Sequence, residues 1–194
     1  MNKEIKFSII IPHYDPQKKM VQYLKNCLES IKKNSLKYSY EIVLIDSIKS
    51  YSQNVNEGLR QAKGDFFVLL NNDTEIKDTE WLDKLYTKDK ISAWKLVNSA
   101  VPEVLKLVPD ASCWGMSRKV FNTLGRLDER FSEGYGFEDT DYWMRAKKVE
   151  IEFKNSMVKL IHYNNKTFSS YFPNEFIFQY SHNENLFLKK YKLI

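Results

Sequence analysis

The stretch Phe66–Ile76, FFVLLNNDTEI, sets five consecutive apolar residues against two amides and a carboxylate. An unbroken apolar run of this length reads as a strand buried on both faces, because a half-buried strand would alternate apolar and polar side chains. Its abrupt end at Asn71, Asn72 and Asp73 has two readings. One is an Asx-type turn that closes the strand. The other is a metal site, with hard oxygen ligands mounted on a stiff support.

Working outward, Val55, Leu59 and Ala62 mark a short helix before this strand, and Gly64 stands where a C-terminal cap belongs. Ile42–Ile45 is a second apolar run, ending on Asp46, and Ile5–Ile11, a β-branched run ended by Pro12, reads as the first buried strand. Between those two, Asp15-Pro16 reads as an N-cap followed by proline at the first helical position. Met20, Leu24, Cys27, Leu28 and Ile31 then recur at helical spacing through Lys33. Strand, helix, strand, helix, strand with continuous apolar strands predicts an α/β fold: a Rossmann-like domain whose mostly parallel central sheet is covered by helices. Ligands of such sheets bind beyond the carboxyl ends of the strands. His13, Asp46 and Asn71–Asp73 all fall there, so scattered polar residues become one candidate pocket.

The second half is less regular. Trp81, Leu82 and Leu85 suggest a helix after Asp78, and Ile91–Val97 a strand; residues 98–112, with Pro102 and Pro109, carry no readable period. Trp114–Ser117 reads as a strand and Lys119–Leu124 as a helix closed by Gly125. The segment SEGYGFEDTDYWMRAKK, residues 132–148, is a glycine-containing loop running into a helix from Glu138 to Lys148. Met157–Ile161 reads as a strand ending at His162, and Glu175–Tyr191 as an amphipathic helix rich in Phe and Tyr.

Composition narrows the class. With 194 residues, 43% hydrophobic and 28% charged, the chain is of ordinary globular make-up and has the length of one domain. No apolar run approaches the roughly 20 residues that span a bilayer. The N-terminus reads as a strand and not as a signal peptide. Cys27 and Cys113 form no disulfide framework, and Cys27 on an apolar helix face reads as a reduced core thiol of a cytoplasmic protein. The net charge of +5 is spread over the chain, as on a solvated surface, and is compatible with anionic substrates or peripheral contact with an anionic membrane. No basic run with interleaved aromatics points to nucleic acid.

Taken in order, SIIIPHYD (8–15), EIVLID (41–46), NEGLRQAKGDFFVLLNNDTEI (56–76), GMSRKVFNTLGRLDERFSEGYGFEDTDYWMRAKK (115–148) and NENLFLKKY (183–191) resemble the family 2 glycosyltransferases, which have the GT-A fold. The resemblance covers nearly the whole chain. It implies inverting transfer of a sugar from a nucleotide diphosphate donor to an acceptor hydroxyl on a glycan or lipid-linked acceptor, assisted by Mn²⁺ or Mg²⁺. Residues 1–97 would then be the nucleotide-sugar half and 98–194 the acceptor half of one domain.

The resemblance also assigns roles. Asp73 matches the last Asp of a DxD-type motif and is the expected metal ligand, with His162, after its strand, completing the shell. Asp46 matches the acid that contacts the base or ribose, and Pro12, His13, Asn71 and Asn72 fall to the donor. The donor loop is short here: DSIKSYSQN lacks the family's second acid and Gly-Ser pair, so base selectivity is not carried over. Asp139, in the acidic pair Glu138-Asp139, matches the general base, with Glu138 helping to hold the acceptor; Asp141 competes for either role. A helix N-terminus favours the ionised carboxylate that a base requires, although acids there are also common caps. Trp114 and Tyr135 are the expected acceptor contacts, since aromatic faces pack on the apolar faces of sugars. A sugar-phosphate nucleotidyltransferase is disfavoured by the lack of a glycine-rich, basic phosphate loop after the first strand. A degenerate domain that binds without turnover is the non-enzyme alternative.

Overall fold

Ile9 and Ile11 are fully buried in one core cluster while Ile10 between them is fully buried in another, so strand β1 (Lys6–His13) is covered on both faces. β3 (Phe66–Leu70) repeats the pattern, with Phe66, Val68 and Leu70 on one side and Phe67 and Leu69 on the other. The structure, a computed structural model, describes residues 6–133, 136–163 and 176–193. Its central sheet has six strands in the order β2-β1-β3-β8-β5-β9, where β2 is Ser39–Asp46, β5 Ile91–Ala93, β8 Cys113–Ser117 and β9 Phe153–Asn155. Only β8 runs against the other strands of this sheet. The expected mostly parallel sheet is therefore present.

Helices cover both faces. α1 (Val21–Asn34) and α3 (Trp81–Leu85) supply Cys27, Ile31, Trp81, Leu82 and Leu85 to one core. α2 (Tyr51–Gln61), α4 (Arg118–Leu124), α5 (Glu138–Lys148) and α6 (Phe176–Tyr191) supply Val55, Val120, Trp143 and Phe187 to the other. Fully burying one such side chain contributes about 1.5–3 kcal/mol, so both faces are held by apolar burial. No helix among the described residues is long and apolar enough to cross a membrane.

Four local readings are corrected. Asp15-Pro16 does not start α1: Lys18 N–H bonds Asp15 O at 3.1 Å in a turn, Lys18 has φ 59°, and the helix begins only at Val21. Gly64 is not a cap. α2 ends at Gln61 with Ala62 as its C-cap, and a Cβ on Gly64 would stand 2.4 Å from Lys6 O, so this glycine permits close approach to β1. Ile91–Val97 is split between β5 in the main sheet and β6 (Leu96–Asn98), which pairs with β7 (Leu107–Pro109) in a separate hairpin. Met157 has φ 55° and lies outside a strand, so β10 is only Leu160–His162. By contrast α5 spans the predicted Glu138–Lys148, and Gly125, φ 75°, closes α4.

A second small ladder matters most for function. β4 (Thr74–Ile76) pairs antiparallel with β10, putting His162 opposite Thr74. α1 pins β4 from outside: Ile76 N–H donates to Ser30 Oγ at 3.0 Å, and Asn34 Nδ2 donates to Ile76 O at 3.0 Å.

Candidate active site

Beyond the carboxyl ends of β1 and β3 lies a cavity of about 820 Å³. Pro12 and Asn71–Asp73 line one side. The β2–α2 connection and the first turn of α2 contribute Lys49, Ser50, Tyr51 and Asn54, the β6–β7 hairpin region contributes Asp110, and Phe137–Asp139 and His162 complete the wall.

Asp73 is held on three sides. Its backbone carbonyl accepts from Tyr163 N–H at 3.0 Å, which continues the β4–β10 ladder. Two residues back, Asn71 N–H donates to Ser112 O at 2.9 Å, extending the β3–β8 ladder. Thr74 Oγ1 closes the turn onto Asn71 O at 2.7 Å, and the buried Cys27 Sγ lies 3.7 Å from the same carbonyl. A turn and a metal ligand are thus compatible here: the Thr74 hydroxyl and the two ladders fix the backbone, and the Asp73 carboxylate, on a residue only 3% exposed, faces His162. His162 Nε2 stands 3.2 Å from Asp73 Oδ1, is itself buried, and makes no hydrogen bond. A carboxylate oxygen beside a buried imidazole nitrogen is a donor pair that suits Mn²⁺. Among the described residues no third His, Cys, Asp or Glu joins them in a cluster, so further ligands would come from the substrate or water.

The other expected donor-side residues divide. Pro12, Asn71 and Asn72 line the cavity. Asn72 Nδ2 lies 2.7 Å from His13 Nδ1; an amide nitrogen only donates, so Nδ1 accepts and the ring hydrogen sits on Nε2, 3.8 Å from Asp15 Oδ2. Burial lowers the His13 pKa, while Asp46 and Asp15 oppose the shift. His13 is 4% exposed and lies behind the wall as a support for Asn72. Asp46 is exposed at the end of β2, opposite His13 in register, and also off the wall.

On the other side Glu138 and Asp139 open α5. The chain enters through Gly136 at φ 75° and Phe137 at φ 69°, a left-handed pair that costs a non-glycine residue on the order of 1–3 kcal/mol. Phe137 is kept there by its ring, 2% exposed and packed on Tyr180 at 5.1 Å and Phe187 at 5.3 Å of α6. Asn183 of α6 donates from one amide to Phe131 O at 2.9 Å and Gly136 O at 2.7 Å, tying down both ends of the loop. Thr140 N–H reaches Asp139 Oδ1 at 2.6 Å and fixes that carboxyl. Burial raises both pKa values; the adjacent Asp139 charge adds to the rise at Glu138, and Asp110 adds to the rise at Asp139. Both are therefore stronger proton acceptors than exposed carboxylates.

Asp141, the competitor, is fully buried away from the cavity, bonded to Arg145 Nε at 3.0 Å, Tyr191 OH at 2.7 Å and Lys190. Its role is to bind α5 to α6. Trp114 is 1% exposed and off the wall, its ring against Trp143 at 4.7 Å, so it supports a lining residue from behind. A buried position on β8 was invisible without the sheet order. Tyr135 lies outside the described residues.

Tyr51, Ser132 and Asp110 are among the wall residues not singled out from the sequence. Tyr51 starts α2, and its hydroxyl pKa is pushed up by burial and by the charges of Glu138 and Asp139. The Ser50–Gln53 capping box that sets this helix start was a readable signal. Ser132 Oγ accepts from Ser50 Oγ at 2.8 Å and joins the two walls. Asp110 had no signal, because the hairpin carrying it has no helical or strand period.

This strand order, with a cavity beyond the carboxyl ends of its parallel strands, is that of the GT-A fold, and solved structures bear the fold out. The Drosophila β1,4-galactosyltransferase 7 mutant with manganese, UDP-Gal and xylobiose matches with TM-score 0.60 and 12% identity over 84% of this chain and 72% of that one. GalNAc-T7 with UDP, GalNAc and Mn²⁺ matches with TM-score 0.63 and 14% identity, over 82% of this chain and 43% of that one. The mannosyltransferase PcManGT of Pyrobaculum calidifontis, with GDP-Man and Mn²⁺, gives TM-score 0.59 and 12% identity, over 79% and 55%. The chain spans 43% to 72% of the length of these three. No protein-family model and no curated protein sequence matches it.

Proposed function

We propose that this protein is a metal-dependent, inverting glycosyltransferase that moves a sugar from a nucleotide diphosphate donor to an acceptor hydroxyl of a glycan or lipid-linked acceptor, in polysaccharide or glycan synthesis. We assign residues 1–97 to the donor and 98–194 to the acceptor. The observation that carries this reading is the meeting of Asp73 Oδ1 and His162 Nε2 at 3.2 Å on the cavity that Glu138 and Asp139 also line.

Asp73 and His162 would hold Mn²⁺ or Mg²⁺. When bound, such a cation supplies positive charge against a departing nucleoside diphosphate. Asn71 and Asn72 supply amide hydrogen bonds to the donor, with Pro12 shaping the floor beside them. Asp139 accepts the acceptor hydroxyl proton as that oxygen forms its bond to the anomeric carbon and the bond to the diphosphate breaks on the opposite face. Its raised pKa makes it a stronger proton acceptor than an exposed carboxylate. Glu138 beside it positions the acceptor.

The binding-only alternative is favoured by one observation, the two-residue metal pair without a third protein ligand among the described residues. Nucleotide release from UDP-, GDP- and dTDP-sugars, measured with and without Mn²⁺ in wild type and Asp73→Ala, separates the two. Transfer requires Mn²⁺, and Asp73→Ala is expected to weaken metal-dependent donor binding by about 10²-fold (about 2.7 kcal/mol). Donor binding without turnover on any acceptor would move the assignment to the binding-only reading.

A further inference from the structure

The charges on the cavity wall are one-sided. Asp73, Asp110, Glu138 and Asp139 supply the acidic groups of the wall, Glu138 largely protonated at neutral pH, against Lys49 as the one Lys or Arg among the described wall residues. Lys49 belongs to the β2–α2 connection, whereas Asp110, Glu138 and Asp139 lie on the side assigned to the acceptor. Resting on the glycosyltransferase reading above, we propose that this side selects uncharged saccharides and turns away acceptors bearing carboxylate, phosphate or sulfate next to the reacting hydroxyl.

Asp110 is a built-in charge and not a mobile surface acid. Ser112 N–H donates to its Oδ1 at 3.0 Å, and the Ser112 hydroxyl, itself accepting from Trp94 Nε1 at 2.9 Å, bonds the same oxygen. Burial opposes its ionisation, but these hydrogen bonds hold its pKa below the ordinary value. Lys95 Nζ lies 3.6 Å from Oδ2 with its side chain 45% exposed, a solvated partner that neutralises it only in part. An anionic acceptor would enter beside this fixed negative charge in a partly enclosed cavity, where like charges repel more strongly than in water.

The same wall suits a neutral sugar. Carboxylates accept the hydroxyl hydrogens a saccharide donates in several directions. Tyr180 borders it with a partly exposed ring, and the buried rings of Phe131, Phe137 and Trp143 back the wall.

The test pairs matched acceptors, methyl β-glucoside with methyl β-glucuronide and the same pyranoside with and without a 6-phosphate. Transfer is measured with Mn²⁺ and whichever sugar nucleotide releases nucleotide; saccharide binding is measured separately by saturation-transfer NMR. Wild type is expected to favour the neutral member at least tenfold in kcat/KM. Asp110→Asn is expected to narrow that ratio at least threefold, and raising salt should narrow it in wild type without any substitution. Equal or better use of the anionic member overturns the inference while leaving glycosyl transfer standing. If no donor is turned over, the functional reading fails and the NMR arm decides the inference alone. Neutral-over-anionic binding that narrows with salt upholds it, and binding of neither or of both alike overturns it.

Discussion

Residues 6–97 and 98–193 build their sides of the cavity by different means. In the first region Pro12 and Asn71–Asp73 sit at the ends of parallel strands whose register is fixed by the backbone ladder, Ile9 opposite both Ile42 and Val68. In the second, Glu138 and Asp139 follow a left-handed loop, and Asp110 sits just past a small hairpin. Side chains fasten this region: Asn183 to Phe131 O and Gly136 O, Ser132 to Ser50, and Asn56 to Leu127 O at 3.0 Å and Glu129 at 2.8 Å. Backbone ladders fail cooperatively, whereas single side-chain ties can be cut one at a time. The first region should therefore be stiff, and the second adjustable.

The largest effect expected is chemical. Asp139→Asn should lower the transfer rate by about 10²–10⁴-fold while donor binding, read by calorimetry, holds. A parallel loss of donor affinity would break the division between the two sides. Next in size, Gly64→Ala forces a Cβ to within 2.4 Å of Lys6 O, where only backbone can yield. A destabilisation of about 3 kcal/mol should appear as a Tm fall of roughly 6–12 °C, with donor affinity falling alongside.

Asn183→Ala sharpens the contrast from the other side. It removes donors from two carbonyls and should cost about 1–2 kcal/mol, with a several-fold rise in acceptor KM and an unmoved donor Kd. Equal weakening toward both substrates would show that the loop does not act as an independent part.

The smallest effect is a pH-dependent one. The Glu138 pKa is raised from 4.5 to about 8 by burial and by Asp139, so folding favours its protonated form. The cost of ionising it is absent below about pH 4.5, grows as pH rises, and is complete above about pH 8. Glu138→Gln should therefore raise Tm by a few degrees at pH 9 and leave it unmoved at pH 4. An equal rise at both values would assign the gain to packing.

The sequence by itself determined much of this. The β-branched stretch ending at Ile11 and the five apolar residues Phe66–Leu70 marked β1 and β3 as buried strands, and their polar ends located the floor of the cavity. The acidic pair opening α5 was legible because helix starts collect carboxylates, and the helix period ran cleanly from Glu138 to Lys148. Local signals misled where another contact overrode them. Asp15-Pro16 looks like a helix start until the Lys18 turn intervenes, Gly64 looks like a cap until β1 passes against it, and Trp114 looks like a sugar platform until β8 carries it into the core.

Only the tertiary structure decided which distant residues meet. Asp73 and His162 are joined by the β4–β10 ladder, Asp110 comes to the wall through a hairpin without a readable period, and Asp141 is removed from the cavity by Lys190 and Tyr191. The reason is physical: period and capping act over a few residues, whereas strand order and side-chain ties between separate elements leave no local pattern to read.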